Sequence, residues 1–218
     1  MSPGPLVRVV EADLEGLTSA SKAVLEGGLV SYPTDTVYGL GCDPFNPTAI
    51  ERVIRVKGDR KKPLPVLVRA LQDAQRLADF PDKAFKLVRE FWPGPLTIVL
   101  KAKTLVPQAL APLGTIGVRS PKHSTCLNLL SLCSGYLVGT SANRTGDAPA
   151  TTPDEVVREL GDSIDVVVDG GRTTLGVAST VIDLSKELVI LREGPIPREA
   201  LLKCLRKHDS AIRRPFTR

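Results

Sequence analysis

Gly27-Gly28-Leu29-Val30-Ser31-Tyr32-Pro33-Thr34-Asp35-Thr36-Val37-Tyr38-Gly39-Leu40-Gly41 is a turn, a short apolar run and a polar loop in succession. Two glycines feed the run Leu29-Val30-Ser31-Tyr32, which has the length of a buried strand. Pro33 ends the ladder, because proline has no N–H to donate. Thr34, Asp35, Thr36 and Tyr38 then place hydroxyls and a carboxylate where the strand stops. In α/β proteins ligands bind in loops of this kind, just beyond the strand ends. A loop that only joined two elements would not need so many polar groups.

Working outward, apolar runs of strand length recur at residues 7–10, 29–32, 65–68, 96–101, 115–119, 137–140, 165–168, 179–184 and 188–192. Their Val, Ile and Thr content favours strand over buried helix. Helical patterns lie between them, at residues 17–26, 48–56, 71–77, 82–91, 124–132, 153–160 and 197–207. Leu127, Leu130 and Cys133, with Leu129, give one helix an apolar face. Thr152-Pro153-Asp154-Glu155 signs a helix start, with a capping Thr, Pro at the first helical position and acids in the first turn. The start at Pro195-Ile196-Pro197-Arg198-Glu199 is more weakly signed. The alternation predicts a single α/β domain built on a mixed sheet flanked by helices.

The 218 residues are 42% apolar and 24% charged, ordinary values for one globular domain. A net charge of +5 admits nucleotide or polyanion partners without requiring them. Four cysteines without Cys-x-x-Cys spacing, beside two histidines, argue against a zinc site and for reduced thiols in a cytoplasmic protein. No apolar run approaches the roughly 20 residues of a membrane span. The start Met-Ser-Pro-Gly-Pro has no signal-peptide core. The domain is expected over residues 15–205, followed by a basic tail, 206–218. That tail reads as a solvated terminus or as an arm that contacts RNA or closes over a site.

Five further segments could carry chemistry. Lys57-Gly58-Asp59-Arg60-Lys61-Lys62 gathers cations where a polyphosphate could sit, or is a solvated charge run. Arg119 ends the run Thr115-Ile116-Gly117-Val118 and needs an anion there, either a ligand or a structural acid. Thr140-Ser141-Ala142-Asn143 offers small polar groups for a ligand or for a turn. Asp169-Gly170-Gly171 precedes Ser179-Thr180, and Arg192 closes the last apolar run. Together they predict a cationic, hydroxyl-rich pocket for a phosphorylated ligand and a small polar co-substrate. There is no P-loop, and no Ser–His–Asp or Cys–His pairing is evident. Catalysis by positioning and charge stabilisation fits these residues better than covalent catalysis.

In this order the segments resemble the YrdC-like family of threonylcarbamoyl-AMP synthases. The matching pieces are residues 32–41 and 57–64, Trp92-Pro93-Gly94-Pro95-Leu96-Thr97 and residues 118–121, 140–143, 169–171, 179–181 and 191–195. The resemblance implies an α/β fold with a twisted mixed sheet around a large, positively charged cavity. It also implies joining L-threonine, bicarbonate and ATP, with Mg2+, into threonylcarbamoyl-AMP and pyrophosphate. A downstream transferase then modifies tRNA. By position, Thr36, Arg119 and Ser179 resemble the threonine-binding residues. Lys57, Arg60, Lys62, Thr115, Ser141, Asn143 and Arg192 resemble the ATP-binding ones, with Lys57 and Arg60 as electrostatic catalysts. No side chain is singled out as a metal ligand or general base.

Two departures from the family pattern stand out. Asp59 takes the third place of the usual Lys-x-Arg, so that Arg60 follows one position later, and Leu67 stands where some members have His. One competing reading is a non-enzymatic module that binds tRNA or double-stranded RNA. Another is a carbamoyl-transfer domain of the HypF type, which shares the fold.

Overall fold

The computed structural model describes residues 7–58 and 63–211. In chain order its elements are β1 (Arg8–Glu11), α1 (Leu14–Leu25), β2 (Val30–Tyr32), β3 (Gly39–Gly41), α2 (Pro47–Lys57), β4 (Val66–Val68), α3 (Leu71–Leu77), α4 (Asp82–Phe91) and β5 (Leu96–Lys101). They continue with β6 (Thr115–Arg119), α5 (Ser124–Leu132), β7 (Tyr136–Val138), β8 (Thr140–Ser141), α6 (Pro153–Leu160), β9 (Val166–Asp169), β10 (Thr180–Asp183), β11 (Val189–Arg192) and α7 (Arg198–Ala211).

All nine expected strand regions and all seven expected helices are present, within a few residues of their predicted ends. The strands are distributed over two mixed sheets, β1-β9-β2-β3-β8 and β11-β10-β5-β6-β4-β7. The chain crosses between them at Gly139, which separates β7 of the second sheet from β8 of the first. A Cβ there would lie 2.4 Å from the Leu67 side chain, so the crossing needs glycine. The expected basic tail is helical as far as Ala211, because α7 continues past Arg206.

Helix ends follow local chemistry. Asp13 caps α1 by accepting from the Gly16 N–H at 2.8 Å. Asn46 caps α2 through the Ala49 N–H, with Pro47 at the first helical position. At α6 the signed start holds: Thr152 accepts from the Glu155 N–H, while Glu155 Oε2 accepts from the Thr151 N–H at 2.7 Å. Those bonds, the Thr151 N–H foremost, hold the Glu155 carboxyl below its ordinary range.

Both sheets are buried by alternation along their strands. Val166 and Val168 of β9 pack with Leu17, Val24 and Cys126 beneath α1 and α5. Val167 between them points into the larger core, with Leu40, Ile50, Ile98 and Ile116. In the same way Leu67 joins the smaller cluster while Val66 and Val68 join the larger. Burial on both faces explains why these segments read as continuous apolar runs.

Candidate active site

A cavity of about 390 Å³ opens between the sheets. Its floor is one face of the second sheet, lined by every second residue of three strands. Thr97 and Val99 come from β5, Thr115, Gly117 and Arg119 from β6, and Val181 and Asp183 from β10. The intervening Ile98, Leu100, Ile116, Val118 and Ile182 are buried in the core. Gly39, Thr140 and Ser141 of the first sheet, with the 34–38 loop, form the facing wall. Ligand groups are thus offered by a sheet face as well as by strand ends, where the sequence placed all of them.

The opening loop is held from several sides. Tyr38 is fully buried and donates its hydroxyl to the Gly171 carbonyl at 2.8 Å, while the Gly170 N–H donates back to it. Burial raises the Tyr38 pKa to about 12, so the phenol stays protonated and structural. Tyr38 therefore shapes the wall, and the Asp169-Gly170-Gly171 turn anchors it.

Arg119 lies against this loop. Its Nε donates to the Gly94 carbonyl and its Nη1 to Thr36 Oγ1, both at 3.0 Å. Its Nη2 pairs with Asp35 Oδ1, which also accepts from the Lys122 N–H at 3.1 Å. The two sequence alternatives for Arg119 thus coexist, because it has a structural acid and still lines the cavity. Asp35 was legible as a polar loop residue, but its pairing with Arg119 was not. The tight Trp92-Pro93-Gly94 segment, tied back by Trp92 Nε1 to the Leu96 carbonyl at 2.7 Å, supplies the Gly94 acceptor.

A second cluster faces it. Arg192 donates from Nε to the Ser179 carbonyl at 3.0 Å and from Nη2 to Ser179 Oγ at 3.2 Å. Ser179 Oγ also bonds Thr97 Oγ1 at 2.9 Å. Burial, and then the Arg119 cation nearby, hold the Arg192 guanidinium below its ordinary range. A cation that shares a cavity with another cation and, among the described residues, donates only to neutral oxygens favours an incoming anion. Thr97 belongs to this site; from sequence it stood in the matching segment 92–97 but was given no role, although its alternation with Val99 on β5 carried the signal.

Of the sequence-predicted residues, Thr36, Arg119, Ser179, Thr115, Ser141 and Arg192 line the one cavity. Lys57 and Asn143 do not appear in its described lining. Lys57 is buried at the end of α2, where its ammonium donates to the Ser141 carbonyl at 2.7 Å and to the Asn143 carbonyl. The Asn143 amide donates to the carbonyls of Arg144 and Asp147, at 2.6 and 2.9 Å. The turn reading of this segment therefore holds for Asn143, and Lys57 clamps the turn from behind. Arg60 and Lys62 lie outside the described residues; Pro63 and Pro65, just after them, line the cavity. Leu67, at the position where some family members have His, also lines it and offers only apolar surface.

Residues 22–194 match the Sua5/YciO/YrdC family, described as telomere recombination. The chain belongs to that family. Over 190 residues it is 37% identical to the threonylcarbamoyl-AMP synthase of Pyrococcus abyssi, covering 85% of this chain and 56% of that protein. The Bacillus subtilis threonylcarbamoyl-AMP synthase is 35% identical over 192 residues, covering 85% of this chain and 55% of the relative. The chain therefore spans about half the length of these curated relatives. Among solved structures, P. abyssi Sua5 complexed with L-threonine superposes with a TM-score of 0.86 at 34% identity, covering 92% of this chain and 61% of that one. Among the described residues no helix is long and apolar enough to cross a membrane.

Proposed function

We propose that this chain is an L-threonylcarbamoyladenylate synthase, a nucleotidyltransferase. It would condense L-threonine, bicarbonate and ATP into threonylcarbamoyl-AMP and pyrophosphate. The observation that carries this reading is one cavity holding two arginines of different character. Arg119 is fixed beside Thr36, as an amino-acid head group requires. Among the described residues Arg192 donates only to neutral Ser179 oxygens, as suits a residue awaiting a phosphate or carboxylate. The likeness over most of the chain to synthases, and to a structure complexed with L-threonine, supports the assignment.

In this reading the threonine amine attacks the carbon of bicarbonate and water leaves, giving a carbamate. A carbamate oxygen then attacks the α-phosphorus of ATP and pyrophosphate departs. Arg119 clamps the threonine carboxylate, and Arg192 offsets charge on the incoming anions. Arg60 serves the phosphates, Thr115 and Ser141 shape the nucleotide side, and Lys57, bonded to the Ser141 and Asn143 carbonyls, holds the turn that presents Ser141. Magnesium enters with ATP as part of the substrate. It would offset charge on the phosphates as pyrophosphate departs. The product would pass in the cytoplasm to a transferase that modifies tRNA.

The test is pyrophosphate release from the purified chain with all three substrates. Release that requires both threonine and bicarbonate is expected. Release independent of threonine would remove the assignment.

A further inference from the structure

Asp183 is the one carboxylate among the described residues that line the cavity. It ends β10 half-buried, and its Oδ1 accepts from the Ser185 N–H at 2.7 Å. That bond closes a local turn, which Asn or Ser would close as well. An ionised carboxylate accepts at about four lone-pair sites, so most of its capacity is left for a ligand. The sheet register places this acid. Val181 lies opposite Thr97 on one side and Arg192 on the other, in the row that carries the cation. Asp183, Val99 and Gly117 form the next row on the same face, about 7 Å along the strands. Thr115, two residues before Gly117, belongs to the same half of the floor.

An acid one row from a cation weakens its pull on phosphate, a cost that only a ligand donor offsets. The surroundings say what carries that donor. Val99 and the bare backbone of Gly117 make a flat floor, and Leu113 and Leu191 line the cavity while 81% and 51% exposed. Apolar surface of this kind suits a ring laid over it. We propose that Asp183 accepts the 2′- and 3′-hydroxyls of the ATP ribose and so selects a ribonucleotide. A cis-diol presents two O–H donors side by side, which one carboxylate receives together. The diol stands one sugar ring from the α-phosphate, as Asp183 stands one row from Arg192. An exocyclic base amine also donates, but it lies across the whole nucleoside from the phosphate, too far for a neighbouring row. This inference rests on the proposed nucleotide substrate and adds the residue that reads its sugar.

The experiment is titration calorimetry of the intact chain with the magnesium complexes of ATP, 2′-deoxyATP and 3′-deoxyATP. Wild type, Asp183→Ser and Asp183→Asn are compared, since both variants keep an acceptor for the Ser185 N–H. One hydrogen bond to a charged group predicts that wild type binds ATP about tenfold more tightly than either deoxynucleotide. In Asp183→Ser, whose side chain is too short to reach the diol, that preference should shrink to within about twofold. ATP should weaken there while the deoxynucleotides do not. Asp183→Asn, with one acceptor oxygen left, should fall between the two.

Equal weakening of all three nucleotides in Asp183→Ser overturns the inference, because a loosened turn or a lost magnesium ligand would act that way. A wild-type chain that binds the three equally also overturns it, while leaving the proposed function intact. That comparison decides alone if neither variant folds. A wild-type chain that binds no ATP removes the proposed function and this inference with it.

Discussion

Asp35 and Arg119 form an ion pair inside the protein, with side chains only 8% and 7% exposed. The pair joins the loop after β2 to the end of β6, and so fixes the two cavity walls relative to each other. Breaking a buried pair from one side leaves an uncompensated charge and costs about 3–5 kcal/mol. Asp35→Ala is therefore expected to lose stability of that order, read as a shift in the urea midpoint. Asp35→Asn keeps an oxygen for Arg119 and Lys122 and should lose less. Arg119→Ala is expected to raise the threonine requirement strongly in the pyrophosphate assay.

Thr97→Val removes the hydroxyl that bonds Ser179 Oγ at 2.9 Å and changes little in volume. A single lost hydrogen bond is worth about 1 kcal/mol, roughly fivefold in an equilibrium constant. Threonine KM should rise by about that factor with kcat nearly unchanged, as steady-state kinetics would show.

Lys57→Ala leaves the carbonyls of Ser141 and Asn143 without their charged donor in a buried place. Pyrophosphate formation is expected to be abolished. Hydrogen exchange at residues 141–147 should accelerate, because Lys57 ties that turn to α2.

His123 gives a pH signature. Burial lowers its pKa from the ordinary 6.5, outweighing the nearby Asp35, and its Nδ1 is buried without a hydrogen-bond partner among the described residues. The unfolded chain then binds more protons than the folded one just below pH 6.5, so stability falls as pH drops through that value. Above it this contribution is fully present. His123→Asn should flatten the fall between the urea midpoints at about pH 7.5 and pH 5.5 relative to wild type.

The regular elements were legible because burial on both sheet faces wrote them as Val- and Ile-rich runs, and because Thr152 signed a helix start; the caps at Asp13 and Asn46 went unread, so α1 was expected to begin three residues late. Strand β3 was not legible, since Gly39-Leu40-Gly41 reads as a turn. Its glycines are required because a Cβ on Gly39 would approach the Tyr32 ring to 2.7 Å and one on Gly41 would approach the Val138 carbonyl oxygen to 2.1 Å. The site residues were legible as polar breaks in apolar runs, which is how Thr36, Arg119, Ser141 and Ser179 stood out. Partnerships were not. Nothing in the sequence says that Lys57 turns to backbone carbonyls, or that Asp35 reaches Arg119 across 84 positions.

The amino acid and the nucleotide are expected to meet in one cavity and to leave it joined. The decisive experiment is incubation with 13C-bicarbonate, L-threonine and Mg·ATP, followed by mass spectrometry of the nucleotide fraction. An AMP adduct carrying both threonine and the labelled carbon is expected, absent when either is omitted. A nucleotide fraction holding only ATP, ADP and AMP under those conditions would overturn the proposed function.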